Sequence, residues 1–173
     1  MAGYEEHPSK ATSWRGGRFV VLPEGESANC TVWFVVEEDS AGVHWEGLLA
    51  TGLSEDRACI SAVPFWLYDL NLGDEVAVIE SAERAPVATG VVRDGGNYVF
   101  RVIFEGAEYD DYRWQSLMIE LEPHDCWFDV RSPSFVALSA PPAQARAVGD
   151  YLLAREQCGD LRFETGRSQS GAG

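Results

Sequence analysis

The chain has 173 residues, of which 46% are hydrophobic and 12% aromatic, and this composition indicates a globular protein and excludes a disordered one. Its 28 acidic and 13 basic residues give a formal net charge of −15, a field that would repel the phosphate backbone of a nucleic acid. No apolar run is long enough to span a membrane, and the acidic N-terminus lacks the features of a secretory signal. We therefore expect a cytoplasmic protein that binds neither nucleic acid nor membrane.

The first part of the chain predicts a loose arm followed by strands. Residues 1–17 mix charged residues, Ser and Gly, and this composition is typical of an arm. Arg18 to Leu22 predicts a short strand, and Cys30 to Val36 predicts a stronger one with apolar residues on both faces. Val43 to Leu53 returns as its partner after the acidic tip Glu37 to Gly42. Consecutive carboxylates at such a tip are typically hydrated, so we predict no metal site there.

The stretch from Ile60 to Val78 determines the predicted architecture. Pro64 interrupts an apolar run, so the chain must bend there. Gly73 and Asp74 then predict a turn in which Gly73 takes a positive φ and Asp74 accepts backbone hydrogen bonds. A further strand begins at Glu75, and the whole pattern predicts the wall of a small β-barrel. Pro64, Gly73 and Asp74 are therefore predicted to be structural. The aromatic residues near this stretch are predicted to fill the core rather than to bind a ligand; they are Trp33, Trp45, Phe65, Trp66 and Tyr68.

An ordered set of short motifs in this region resembles a known bacterial family. The motifs are Trp45 to Ala50, Val63-Pro64-Phe65, Leu72 to Val76, and Gly95-Gly96 before an alternating strand. Together they resemble the uncharacterised family catalogued as domain of unknown function 4265, from about Val32 to about Thr165. Membership implies a shared fold and supplies no catalytic residues to transfer.

The second half of the chain changes from strand to helix periodicity and back. Asp94 to Asn97 is the clearest hairpin signal in the chain. The strands predicted after it are Tyr98 to Glu105, Cys126 to Val130, Phe135 to Ser139 and Leu161 to Thr165. A helix that begins near Asp110 and a second from about Ala143 to Gln157 lie between them, with Gly159 as the C′ residue of the second. The order βαββαβ predicts a ferredoxin-like unit with two helices on one face of an antiparallel sheet.

The predicted fold is thus α+β, with a small N-terminal β-barrel-like sheet followed by a ferredoxin-like βαββαβ unit. The predicted divisions are a flexible arm (1–17), a barrel-like subdomain (18–97), a ferredoxin-like subdomain (98–165) and a disordered tail (166–173). The four cysteines are dispersed and predicted to be reduced, although a contact between Cys126 and Cys158 stays open.

The sequence contains no organised catalytic constellation, and it leads to two hypotheses about function. The first is a non-enzymatic binding module that presents an acidic surface to a cationic peptide or protein, as an accessory or immunity-type protein would. The alternative is a small-molecule sensor or enzyme with a pocket at the junction of the two subdomains. The candidate ligand-binding residues are Trp66, Tyr68, Asp69, Arg101 and His124. Arg101 has apolar strand neighbours, so it must meet a carboxylate or an anionic ligand. We predict no cofactor and no metal, and the oligomeric state stays open.

Overall fold

The computed structural model describes residues 3–6, 10–40 and 42–166, and this part of the chain forms two six-stranded sheets and three α-helices. The strands are β1 (Gly3–Glu6), β2 (Thr12–Arg15), β3 (Arg18–Val21), β4 (Cys30–Asp39), β5 (Gly42–Ser54), β6 (Arg57–Ile60), β7 (Glu75–Glu80), β8 (Pro86–Arg93), β9 (Tyr98–Ile103), β10 (Trp127–Ser132), β11 (Phe135–Ala140) and β12 (Arg162–Thr165). The helices are α1 (Pro23–Ser27), α2 (Arg113–Glu120) and α3 (Ala145–Gln157), and a single 3₁₀ turn covers Glu122–His124. The fold is therefore mixed α+β and consists mostly of strands.

The first sheet closes into a five-stranded barrel, which confirms the predicted barrel. Its strands follow the order β5, β4, β8, β7 and β6, and β6 pairs back onto β5. The long strand β5 makes this closure possible because its first half pairs with β4 while its second half also pairs with β6. Alternating side chains such as Val32, Leu48, Ile60 and Val76 fill the interior. Strand β1 adds to β5 in parallel outside the closed barrel.

The second sheet has the order β12, β9, β11, β10, β2 and β3, and neighbouring strands are antiparallel throughout. Helices α2 and α3 cover one face, where Leu117, Met118, Val148 and Leu152 pack with the apolar side chains of β9, β10 and β11. The other face meets the barrel through a smaller cluster that includes Phe65 and its neighbours. The molecule therefore has three layers, in the order barrel, second sheet and helices.

The positions of strands β2 and β3 do not agree with the boundary predicted between residues 17 and 18. The arm was predicted to end at residue 17 and the barrel to begin at 18, whereas both strands belong to the second sheet. They form a hairpin around Gly16 and Gly17, which have φ values of +56° and +82°. The ring of Phe19 packs on Trp14 and on Trp114 of α2, and these contacts attach the hairpin to the helical side of the molecule.

The hairpin predicted at Asp94 to Asn97 is wrong, because β8 lies in the barrel and β9 in the second sheet. The segment is a crossing that is held against the Gly73 turn. A Cβ at Gly95 would lie 2.5 Å from the carbonyl of Gly73, and the Gly95 N–H donates to Asp74 Oδ1 at 2.7 Å. Only glycine permits this close approach of two backbones.

The two helices of the second half agree with the sequence pattern, whereas the start of the predicted tail does not. Helix α2 buries Leu117 and Met118, and Gly159 ends α3 with a φ of +76°. Gly166, predicted to begin the disordered tail, is buried and donates a backbone hydrogen bond to the Val99 carbonyl. The rest of that tail, 167–173, lies outside the described residues. Within the described part of the chain, no helix is long and apolar enough to cross a membrane.

Candidate functional site

Two buried carboxylates hold the Pro64 corner from both layers. Glu46 of β5, which is 1% exposed, accepts hydrogen bonds from the N–H groups of Phe65 at 2.7 Å and Trp66 at 3.1 Å. Asp129 of β10 accepts one from the Val63 N–H at 3.0 Å. Sequence reasoning missed both acids, although alternation along β5 places Glu46 on the same face as the inward-pointing Leu48. An acid at an inward position indicates a buried polar role.

The Gly73 turn has the geometry that the sequence predicts. Gly73 has a φ of +87°, and the buried Asp74 accepts hydrogen bonds from the N–H groups of Asn71 at 2.8 Å and Gly95 at 2.7 Å. Burial raises the pKa of Asp74, although these two backbone donors act in the opposite direction. Asp74 therefore joins its own turn to the crossing between the two sheets.

Arg101 is buried among protein partners. Its Nη1 donates to Glu164 Oε1 at 2.8 Å and its Nη2 to the Leu67 carbonyl. The guanidinium lies 4.4 Å from the centre of the Tyr68 ring, and the Tyr68 hydroxyl donates to the same Glu164 oxygen at 3.1 Å. Burial together with the hydrogen bond and charge of Glu164 raises the pKa of Tyr68. The cluster ties the corner after Pro64 to β9 and β12, and Glu164 supplies the carboxylate that Arg101 requires.

The other three predicted ligand residues have different surroundings. Trp66 is 38% exposed and packs at 5.0 Å from Phe135, with the Arg131 guanidinium over its ring. Asp69 has a φ of +56° and donates its N–H to the Gly166 carbonyl. His124 follows α2, where its Nδ1 lies 2.8 Å from Gln144 Oε1 next to α3. The structure therefore brings Tyr68 and Arg101 into contact, while His124 contacts the helical layer.

Three aromatic side chains form a wall on the outside of the barrel, which we call the aromatic wall (Tyr4, Trp33 and Trp45). Tyr4 meets Trp33 edge-on at 5.5 Å and stacks on Trp45 at 6.4 Å. Gly47 permits this packing, because a Cβ there would lie 2.9 Å from the Trp33 ring. The prediction that Trp33 and Trp45 fill the core is therefore wrong. They are half-buried on the outer face, and of the five aromatic residues only Phe65 is fully buried.

A surface groove lies on each side of the aromatic wall. One has a volume of about 450 Å³ and is lined by the wall, by Val87 and by the segment that contains Glu83. The other, of about 320 Å³, shares Tyr4 and Trp45 with it and is also lined by Glu37 and Trp66. Neither groove has Lys or Arg among the described residues that line it. At the second groove, Arg131 lies over the Trp66 ring and pairs with Glu5. The acidic setting of the wall therefore depends on Glu37 and Glu83.

A separate cleft lies between the barrel and the second sheet, and we call it the junction cleft. Its volume is about 470 Å³. The barrel side contributes Cys59 and Leu72, and the second sheet contributes Arg15, Trp127 and Ser139. Burial raises the pKa of the Cys59 thiol, and the nearby Glu75 carboxylate raises it further, so the thiol is neutral at pH 7. The predicted residues Tyr68, Asp69, Arg101 and His124 do not line this cleft.

Neither metal ligands nor disulfides organise a site in the described residues. The four cysteines are free thiols, and burial raises the pKa of Cys126 to about 12. Within residues 3–6, 10–40 and 42–166, no group of three or more His, Cys, Asp or Glu side chains could hold a metal ion. The aromatic wall and the junction cleft are two surfaces of the described residues on which another molecule could bind.

Comparison with known proteins agrees with the architecture and assigns no activity. The described fold defines an α+β protein with a closed five-stranded barrel and a second sheet covered by helices. Residues 46–163 match the model of the family described as "Domain of unknown function (DUF4265)". The chain belongs to this family. No protein with a curated description matches it.

A solved structure with a similar fold comes from Neisseria gonorrhoeae. It is described as a hypothetical protein, and the two chains share 15% sequence identity with a TM-score of 0.66. The similarity covers 80% of this chain and 94% of that chain. At this identity the comparison shows a shared fold and nothing about function.

Proposed function

We propose that this protein is a non-enzymatic binding module that presents an acidic surface to a cationic peptide or protein partner, in the manner of an accessory or immunity-type protein. The aromatic wall is the observation that carries the proposal. A contiguous exposed apolar patch on a protein surface often marks a place where a partner binds. Tyr4 is 60% exposed, and its ring lies against two indoles that only partly cover it.

The chemistry of the wall favours a cation. The faces of Tyr and Trp rings attract ammonium and guanidinium groups, and a nearby carboxylate strengthens that attraction. Glu83 and Glu37 line the two grooves that flank the wall. The net charge of −15 would also steer a basic partner towards the surface. The same field supports the expectation that nucleic acid is not the partner.

The second half of the chain belongs in this proposal as a scaffold. A ferredoxin-like unit over residues 98–165 is supported by the order β12, β9, β11 and β10 and by the two helices on one face. This unit would support the barrel from behind, while the partner contacts the barrel's outer wall. Ligand binding by Trp66, Tyr68, Asp69, Arg101 and His124 stays a prediction.

The test uses three peptides of one length that differ only in charge, being rich in Lys and Arg, in Gln, or in Glu. We expect the basic peptide alone to bind, and to bind more weakly as the ionic strength rises. Glu83→Lys should weaken that binding about fivefold or more, because it places a like charge beside the aromatic wall. Glu108→Lys is the matched control, since it changes the net charge equally on an exposed loop outside both grooves.

Two results would contradict the proposal. If the affinity for the basic peptide does not change with ionic strength, the electrostatic part of the proposal is wrong. Equal weakening by Glu83→Lys and Glu108→Lys would mean that the net charge alone attracts the peptide, so the aromatic wall would not be its site.

A further inference from the structure

The junction cleft has the size and position of a small-molecule site. Pockets that bind small ligands typically have volumes of about 300–1,000 Å³ and often lie where two structural units meet. The junction cleft, at about 470 Å³, lies between the barrel and the second sheet and has mostly apolar lining. It shares no lining residue with the grooves beside the aromatic wall, so a ligand in the cleft does not depend on the proposed function.

Ser139 gives this cleft an unused polar group. Its side chain is 1% exposed, and its Oγ has no hydrogen-bond partner among the described residues. Ser139 lines the cleft and pairs with Trp127 across β10 and β11, so both side chains project from the same face of the sheet. A buried hydroxyl without a partner is unfavourable, and in a native protein it requires an explanation. A ligand in the cleft would provide one.

The charges around the cleft favour a cationic ligand. The Arg15 guanidinium lines the cleft, lies 5.0 Å from the centre of the Trp127 ring, and pairs with the Asp125 carboxylate. Arg15 therefore shows that this surface accommodates a cation between an aromatic ring and a carboxylate. Glu24 adds a second carboxylate to the lining. Because Arg15 is compensated by Asp125, the lining has a surplus of acceptor oxygens and one negative charge.

The apolar part of the lining defines the rest of the ligand. Leu22, Ile60, Leu72 and Trp127 surround a space that suits a hydrocarbon or aromatic body. Asn97 contributes little donor capacity, because its Nδ2 already donates to the Leu72 carbonyl at 2.8 Å. We propose that the junction cleft binds a small organic amine, whose ammonium group meets the acceptor oxygens and Ser139 while its apolar body packs against Trp127 and Leu72. The inference develops the binding half of the small-molecule alternative and includes no catalytic step.

The test uses three probes with one body and three charges, 2-phenylethylamine, 2-phenylethanol and phenylacetate, titrated into the whole protein. Amide chemical shifts in NMR spectra locate the binding, since Gly73 and Ser139 report on the cleft whereas Tyr4 and Ala82 report on the aromatic wall. We expect 2-phenylethylamine to shift the cleft amides, the alcohol to bind more weakly, and the carboxylate not to bind.

A pair of serine variants tests the role of the hydroxyl. Ser139→Ala should weaken binding of 2-phenylethylamine at least about threefold, which is the effect of losing one hydrogen bond. Its melting temperature without the amine should equal or exceed that of the wild type, because the variant lacks the unpaired hydroxyl. Ser13→Ala is the matched control, since Ser13 is equally buried outside the cleft and should leave amine binding unchanged. Three results would overturn the inference: no shift of the cleft amides at saturating amine, tighter binding of phenylacetate, or equal amine affinity of Ser139→Ala and wild type.

Discussion

Replacing Gly73 by Val should destabilise the fold without changing binding of the basic peptide, because Gly73 does not line the grooves beside the aromatic wall. The φ of +87° at Gly73 is a conformation that a β-branched residue adopts only with strain of about 1–3 kcal/mol. The added Cβ would also lie 3.3 Å from Asn97 Nδ2, which donates to the Leu72 carbonyl at 2.8 Å. Displacing that hydrogen bond adds about 1 kcal/mol. The expected loss is therefore about 2–4 kcal/mol, a large part of the roughly 5–15 kcal/mol that stabilises an ordinary domain.

The assay is urea and thermal denaturation of Gly73→Val beside wild type and Gly90→Val. For a chain of this length the loss corresponds to a fall in melting temperature of about 5–15 °C. Gly90 lies exposed in β8, and a Cβ there would have no heavy atom within 4 Å, so its substitution should change stability little. Binding of the basic peptide, measured on the folded fraction of Gly73→Val, should match wild type. Equal melting temperatures for the two variants would refute the strain argument, and a stable Gly73→Val that no longer binds the peptide would assign the turn to the site.

Two further predictions concern charged groups in the same region. Arg101→Met should lower the free energy of unfolding, measured by urea denaturation, by about 2–3 kcal/mol, because it leaves the Leu67 carbonyl and Glu164 without their guanidinium partner. The control is Arg162→Met, which breaks an exposed pair with Glu105, and an equal loss in the two variants would contradict the prediction. The raised pKa of Asp74 means that the folded state takes up a proton more readily than the unfolded chain, so wild type should gain stability relative to Asp74→Asn as the pH falls towards 3.8, the ordinary pKa of Asp. This gain should disappear as the pH rises. Urea denaturation of both proteins at several pH values measures the difference in stability, and a difference that is constant or opposite in sign would contradict the prediction.

Features set by local chemistry could be predicted from the sequence. The positive φ of Gly73 and the end of α3 at Gly159 follow from glycine, whose missing side chain leaves such conformations open. Helix α2 follows from the spacing of Leu117 and Met118, and the barrel strands from their alternation. In each case the deciding atoms lie within a few residues of one another.

The crossing at Asp94 to Asn97 could not be predicted, because its deciding contact is distant in sequence. Gly95 and Gly96 fit a hairpin as well as a crossing, and only the close approach of Gly95 to the Gly73 carbonyl selects the crossing. The hairpin of β2 and β3 is a different case, since Gly16 and Gly17 are a local turn signal that the predicted arm left unused. The sequence does not show that Thr12 pairs with Phe128, and this pairing attaches the hairpin to the second sheet.

The candidate sites were harder to predict than the fold. Strand β4 has apolar residues on both faces, so its sequence does not distinguish a covered outer face from an exposed one, and Trp33 was assigned to the core. Arg101 was correctly expected to need a carboxylate or an anion, and only the pairing of β9 with β12 places Glu164 beside it. The junction cleft depends on Trp127 and Ser139, which carry no functional signal in the sequence because each is an ordinary strand residue.

The acidic residues of the chain include buried and exposed ones, and only the exposed acids are available to a partner. Glu46, Asp74 and Asp129 are buried and accept backbone hydrogen bonds at the corner and the crossing. Burial of a carboxylate is unfavourable unless such donors compensate it, so these three acids have a structural explanation. Glu37 and Glu83, by contrast, line the grooves beside the aromatic wall. The case for a cationic partner therefore depends on where the exposed acids lie, and a charge reversal beside the wall tests it more directly than any change in the total charge.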